Sequence, residues 1–196
     1  KKIYIIFHRG VLGMYKMTEI ELERLYLRPY TLADANDVQN LAGDWEIAKT
    51  TLNVPHPYED GMAEEWIKTH RKEFEKGNLV TLAITHHEEG YLIGTINIKL
   101  NQKFENGELG YWIGKRYWNN GYCTEAAKGM LKYGFEELKL NRIYATYLKR
   151  NPASGKVMKK LGMKYEGTLR EHVKRWGEFD DLVYYGLLKE EYYSIK

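Results

Sequence analysis

The run Gly110-Tyr-Trp-Ile-Gly-Lys-Arg-Tyr-Trp-Asn-Asn-Gly121-Tyr-Cys-Thr-Glu-Ala-Ala127 constrains the fold more than any other part of this chain. It reads as a strand, then a glycine-bearing loop, then a helix. Unpaired backbone N–H groups at a helix start point outward, and the helix dipole adds partial positive charge, so this arrangement holds anions. Gly121 lets the backbone adopt unusual dihedrals and lets a phosphate come close, and Lys115 and Arg116 add charge. An ordinary strand-to-helix connection uses the same residue types, and the segment alone leaves both readings open. No Walker lysine pattern and no dinucleotide fingerprint occurs elsewhere, so the chain is neither an evident P-loop nucleotidase nor a Rossmann enzyme.

The 196 residues fit one domain. Alternation marks strands over 23–28, 79–85, 91–100, 108–113, 142–148, 163–170 and 181–188. Helical spacing marks a helix after Thr31, a second over 59–76 stopped by Gly77, a third over 124–138 and a short one over 152–161 opened by Pro152. His86-His87-Glu88-Glu89-Gly90 reads as a hairpin turn, and two prolines flanking His56 make 53–57 a loop. The order βααβββαβαββ predicts a mixed α/β domain with helices over a central sheet. No repeat or linker divides it, so one domain is expected over 17–196, with 1–16 as an N-terminal extension or a cloning scar.

Charge narrows the partners. Residues 1–16 hold four basic and no acidic residues, leaving 26 basic against 27 acidic in the rest. That balance is not the basic field of a nucleic-acid protein, so nucleic acid is not an expected partner. The apolar runs are too short to span a membrane, so no membrane partner is expected either. The single cysteine, Cys123, excludes an intrachain disulfide and is compatible with a reducing cytoplasm, where the chain is expected. Six histidines show no ligand spacing, so no metal is predicted. From Lys149 to Arg175 nine basic residues face only Glu166 and Glu171. This is a local patch for phosphates or an RNA surface, or simply a solvated face.

Arg116-Tyr-Trp-Asn-Asn-Gly121 resembles the Q/R-x-x-G-x-G/A pyrophosphate loop of the GNAT N-acetyltransferase family. The flanking residues look like the branch that holds the ribosomal-protein alanine N-acetyltransferases. Leu27-Arg28-Pro29 with Ala33-Asp34-Ala35, Asn151-Pro-Ala-Ser154 with Leu161-Gly-Met-Lys-Tyr-Glu-Gly167, and Asp180-Asp-Leu-Val-Tyr-Tyr-Gly-Leu-Leu188 resemble the family's opening, closing half and last strand. The likeness covers about 22–190 in order. The departure is Asn119, where the pattern prefers glycine; asparagine tolerates left-handed backbone better than most residues.

The resemblance implies a GNAT fold: a mostly antiparallel sheet, helices on both faces, and a splayed parallel strand pair, here 108–113 and 142–148. It implies acetyl-CoA as co-substrate, direct transfer to an amine, and no metal. The pyrophosphate would lie on Asn119, Asn120, Gly121, Tyr122, Cys123 and Thr124, with Arg116 beside it. The N–H near Ile113 would face the thioester oxygen, where attack builds negative charge. Asn151 would meet the pantetheine amides, and Lys156 and Lys160 the CoA phosphates. Glu108 is the leading base candidate and Ser154 the leading acid, the latter also placed in the co-substrate site. Each also has a plainer role, Glu108 as a strand-edge carboxylate and Ser154 as a helix-start hydrogen bonder. Glu166 is a weaker base candidate. Tyr111, Tyr147 and Tyr165 are donors or core. Cys123 is read as packing rather than a nucleophile. Trp45, His56 and Tyr58 would line the acceptor pocket. Glu59, Asp60, Glu64 and Glu65 there would favour a polycation, or are ordinary helix-surface carboxylates.

The expected acceptor is a protein N-terminal α-amine of ribosomal-protein type. A small amine such as a polyamine, amino acid or aminoglycoside is the alternative, and a non-catalytic CoA- or ribosome-binding module the third reading. A monomer or homodimer is expected.

Overall fold

The computed structural model describes residues 17–195 and the backbone of 4–6. Apart from that short stretch, the expected N-terminal extension lies outside the described residues. In chain order the elements are β1 (Tyr4–Ile6), β2 (Glu19–Glu21), β3 (Leu25–Arg28), α1 (Ala35–Ala42), α2 (Trp45–Ala48), α3 (Met62–Glu75), β4 (Leu79–His86), β5 (Leu92–Asn101), β6 (Asn106–Ile113), α4 (Tyr122–Lys132), β7 (Arg142–Leu148), α5 (Pro152–Lys160), β8 (Lys164–Arg175), β9 (Glu178–Leu188) and α6 (Lys189–Ser194). The strands form one sheet in the order β1-β2-β3-β4-β5-β6-β7-β9-β8. Among the described residues only β6 and β7 pair in parallel.

Two apolar clusters cover the two faces. On one, Ala126, Ala127 and Met130 of α4 and Met158 of α5 pack on Leu27, Ile84, Ile96, Ile98 and Ile143. On the other, Val38 and Leu41 of α1 and Ala63 and Ile67 of α3 pack on Ala83 and Leu92. The middle of β4 is buried on both sides, and the neighbours Ala83 and Ile84 belong to opposite clusters. Each large aliphatic side chain so buried stabilises the fold by about 1.5–3 kcal/mol relative to exposure. The mostly antiparallel sheet with helices on both faces is as expected.

Differences from the expected elements have local causes. A single strand over 23–28 is instead a tight hairpin of β2 and β3, closed by Leu22 N–H on the Leu25 carbonyl at 2.9 Å. Helix α3 starts at Met62 because Gly61, at φ +84°, breaks the backbone just before it. Helix α4 starts two residues early, directly after Gly121, and widens into a π turn over Tyr133–Glu137. The last hairpin is longer than its alternation predicts. Register shifts at Tyr165/Gly167 and Leu169/Val173 interrupt the period of two, yet β8 continues to Arg175 and turns back through Trp176 and Gly177, both at positive φ. Helix α6 was not expected; Glu191 caps it by accepting from Leu188 N–H at 2.9 Å.

Helix α1 is seated by a polar clamp. Arg28 reaches Asp34 with two bonds of 2.7 and 2.9 Å, while Asp34 also accepts from Thr31 N–H at 2.8 Å.

Candidate active site

A cleft of about 1870 Å³ opens where β6 and β7 part. The two strands are in register only at Asn106 with Arg142, Gly107 with Ile143 and Glu108 with Tyr144, while β6 runs on to Ile113 and β7 to Leu148. The cleft gathers Glu108, Ile113, Asn119, Asn120, Gly121, Tyr122, Cys123, Thr124, Asn151, Ser154, Lys156 and Lys160 from three stretches of the sequence. Arg116 is the exception among the residues anticipated for the co-substrate. It lines a separate small pocket with Asp37, Asn40, Leu41, Asp44 and Lys115, and its guanidinium lies 4.9 Å over the Tyr117 ring. The three-residue 3-10 turn at Lys115–Tyr117 carries it away from the cleft.

The loop before α4 is held in an open curve. Asn119 and Gly121 both have left-handed backbone, at φ +65° and +79°. Asn120 donates its side-chain amide to the Tyr117 and Trp118 carbonyls, each at 3.1 Å. Trp118 donates its indole N–H to the Ile113 carbonyl at 2.6 Å, fixing the end of β6. Arg24, unremarked in the sequence, braces the same loop by donating to the Asn120 carbonyl at 3.0 Å and to Glu125 of α4. The first-turn N–H groups of α4 follow this curve into the cleft, a setting that fits a phosphate.

The proton-carrying candidates flank the gap. Glu108 of β6 accepts from Thr146 Oγ1 at 3.3 Å and from the Tyr144 hydroxyl at 3.5 Å, both on β7. Ser154, in the first turn of α5, has its Oγ 3.0 Å from the Tyr111 hydroxyl of β6. Asn151 caps α5 by accepting from Ser154 N–H at 3.4 Å, and donates its amide to the Thr50 carbonyl at 3.2 Å. Its amide thus has protein partners. Burial pushes the Cys123 thiol up to about 12, so it stays protonated at neutral pH. Glu166 faces elsewhere: it is absent from the cleft lining and is clamped bidentately by Arg142. Tyr147 lines the cleft, whereas Tyr165 packs edge-on against Tyr185 and bonds Thr168.

At the far end, α2, α3 and the segment between them supply Thr50, Asn53, Val54, Tyr58, Glu64 and Trp66. Of the three aromatic side chains expected at the acceptor pocket only Tyr58 lines the cleft. Trp45 and His56 instead pack with Trp176 from the β8–β9 tip, at centroid distances of 4.9–6.3 Å. Of the expected acidic pocket, Asp60, Glu64 and Glu65 line the cleft, and Glu65 is the one of them paired to a cation among the described residues. Glu65 pairs with Lys68 at 2.6 Å, Glu46 with Lys49 at 2.8 Å, and Asp60 accepts from Gln39; Glu59 is outside the lining.

The basic patch after Lys149 is likewise smaller than its composition. Lys149 pairs with Asp181, Arg150 with Asp180 and Glu178, and Lys164 with Glu191. Lys156 and Lys160, on one face of α5, remain at the cleft wall. Among the described residues no three His, Cys, Asp or Glu side chains form a metal-ligand set, and no helix is long and apolar enough to cross a membrane.

Comparison with known proteins agrees with this architecture. Residues 24–164 match the family model described as an acetyltransferase (GNAT) domain. N-acetyltransferase p20 of Bacillus licheniformis, itself uncharacterized, is 33% identical over 90% of this chain and 99% of that protein. YdaF of Bacillus subtilis, a candidate ribosomal N-acetyltransferase by name, is 30% identical over 81% of this chain and 84% of its own length. The crystal structure of a GNAT-family acetyltransferase from Bacillus anthracis superposes with a TM-score of 0.78 at 30% identity, covering 88% of this chain and 99% of that one.

Proposed function

The chain belongs to the GNAT family of N-acetyltransferases, which use acetyl-CoA, and we propose that its acceptor is the α-amine of a protein N-terminus, of the ribosomal-protein type. The carrying observation is that Glu108, Ser154 and the loop 119–124 line one cleft whose acceptor end is open. A polyamine acceptor calls for an anionic cup, and the pairing of Glu46 with Lys49 and of Glu65 with Lys68 weakens one here, leaving Asp60 and Glu64 as its acidic side chains. The name of YdaF points the same way.

In this reading the loop from Asn119 to Thr124 binds the pyrophosphate, and Lys156 and Lys160 neutralise phosphate charge. The Ile113 N–H stabilises negative charge on the thioester oxygen. Glu108 takes the proton the amine sheds, and Ser154 gives one to the departing sulfur. Acetyl-CoA supplies the activated acyl group.

Thiol release from acetyl-CoA, measured with Ala- and Ser-initiated peptides, spermidine, free amino acids and an aminoglycoside, tests the acceptor, with CoA binding followed by calorimetry. Turnover with peptides supports the proposal. Turnover with small amines alone replaces it with the small-amine reading. CoA binding without turnover on any acceptor leaves a non-catalytic CoA-binding module, and absence of CoA binding removes the reading entirely.

A further inference from the structure

The geometry points to Tyr111 as the positioning residue that aims the Ser154 hydroxyl hydrogen into the cleft, an assignment that rests on the reading of Ser154 as proton donor. Tyr111 stands on β6 and Ser154 on α5, which follows β7, so their contact bridges the mouth where the strands part. The phenol oxygen is 3.0 Å from Ser154 Oγ and 3.3 Å from the Ser154 carbonyl. Both side chains line the cleft.

A serine hydroxyl has one hydrogen and two lone pairs. Two arrangements satisfy the distances. In one, Ser154 donates to the phenol and the phenol donates to the Ser154 carbonyl, which locks both hydrogens into the protein. In the other, the phenol donates to Oγ, and the serine hydrogen is left for the open side, which is the cleft. A sulfur arriving there selects the second arrangement by accepting that hydrogen. Burial raises the Tyr111 phenol above its ordinary range, so it is an O–H donor throughout the working pH.

The proton balance follows. Ser154 Oγ gives its hydrogen to sulfur as the C–S bond breaks and the electron pair of that bond stays on sulfur. The new C–N bond frees one proton from the amine, which Glu108 takes and returns through solvent to Oγ. Tyr111 changes no bond; its hydrogen bond holds Oγ in place and stabilises negative charge on it while the proton is in flight.

The experiment titrates the full chain with CoA and with desulfo-CoA, which lacks the sulfur, for the unmodified protein, Ser154→Ala, Tyr111→Phe and the double variant. Thiol release is measured on the same four proteins. The unmodified chain is expected to favour CoA over desulfo-CoA by about 3- to 10-fold, with the ratio near one in both single variants. Ser154→Ala is expected to lower kcat about 100-fold. Tyr111→Phe, which keeps the ring, is expected to lower it about 10-fold with KM for acetyl-CoA within about 2-fold, and to cost nothing further in the Ser154→Ala background. Equal losses from Tyr111→Phe in both backgrounds overturn the assignment, because they reflect packing. Tighter CoA binding with undiminished kcat in Tyr111→Phe also overturns it and makes Tyr111 a plug. An unmodified chain that turns over but does not distinguish the two ligands defeats the pairing and leaves acetyl transfer standing. A chain that binds neither ligand defeats the functional reading, and the pairing with it.

Discussion

Arg24 grips Glu125 twice across 101 residues of sequence, with its backbone N–H on Oε1 and its guanidinium Nε on Oε2, each at 2.8 Å. The same guanidinium donates to the Asn120 carbonyl and lies 4.9 Å from the centre of the Tyr122 ring. One side chain at the β2–β3 turn thereby shapes the loop that begins α4. Arg24→Ala is expected to lower stability by only about 1 kcal/mol, because the pair is half-exposed. It is expected to weaken CoA binding about 3- to 10-fold by loosening the loop. Urea unfolding and calorimetry separate the two effects; an unchanged Kd would show that the loop keeps its shape without the brace.

Gly121 sits at φ +79°, where proline, fixed near φ −65°, has no place. Gly121→Pro is expected to abolish detectable CoA binding. Gly121→Ala would put a Cβ 3.5 Å from an Arg24 nitrogen, an ordinary contact, so its cost is the left-handed backbone alone, about 1–2 kcal/mol. Calorimetry should therefore find the alanine variant weakened but still binding; equal affinities for both variants would contradict this.

Lys156 is expected to act on phosphate charge. Lys156→Ala should reduce CoA affinity about 3- to 10-fold at low salt and less at high salt. A loss that is the same at both ionic strengths would point to packing rather than charge.

Glu108→Gln preserves the shape of β6 and keeps an acceptor oxygen for Thr146 and Tyr144. CoA affinity is expected to be unchanged, while kcat falls about 100-fold and recovers in part as the pH is raised and free amine becomes available. A full-rate variant would pass the proton-accepting role to solvent.

His70 offers a stability test away from the site. It is 4% exposed, both ring nitrogens are without partners, and it packs 4.3 Å from Trp66 and 5.4 Å from Tyr30. Burial pushes its imidazole down to about 4. The unfolded chain protonates this ring near the ordinary value of about 6.5. Between those values the unfolded state binds more protons, so stability is full above about 6.5 and declines as the pH falls toward 4, by about 3 kcal/mol. His70→Leu should flatten that part of the curve; parallel curves for the two proteins in urea at pH 7 and 4.5 would refute the assignment.

The features legible in the sequence were those whose causes are local. The turn at 87–90 carries its own signal, since Gly90 takes a left-handed backbone and donates to the His86 carbonyl. The strand–loop–helix run around Gly121 is likewise legible from its own residues, although Arg24 braces it from outside. Arg24 was invisible because its partners lie about a hundred positions away. The basic stretch after Lys149 misled because three of its cations are matched by Asp180, Asp181 and Glu191, which lie beyond Arg175 in the chain. Trp45 and His56 were placed at the acceptor pocket, whereas Trp176 draws them to the hairpin tip, a contact no periodicity encodes. Two bulges hid the strand that leads to the Trp176-Gly177 turn.

In hydrogen-bonding terms the sheet is two panels joined by a seam. One panel is β1 to β6, the other β7, β9 and β8, and the seam is three residue pairs wide. Beyond it the facing edges of Leu109–Ile113 and Thr146–Leu148 look onto the cleft rather than onto each other. A guest carrying amides along that gap adds rungs where the ladder stops. Occupancy and stiffness are then linked quantities: a loaded protein should behave as one plate, and an empty one as two leaves meeting along a short fold.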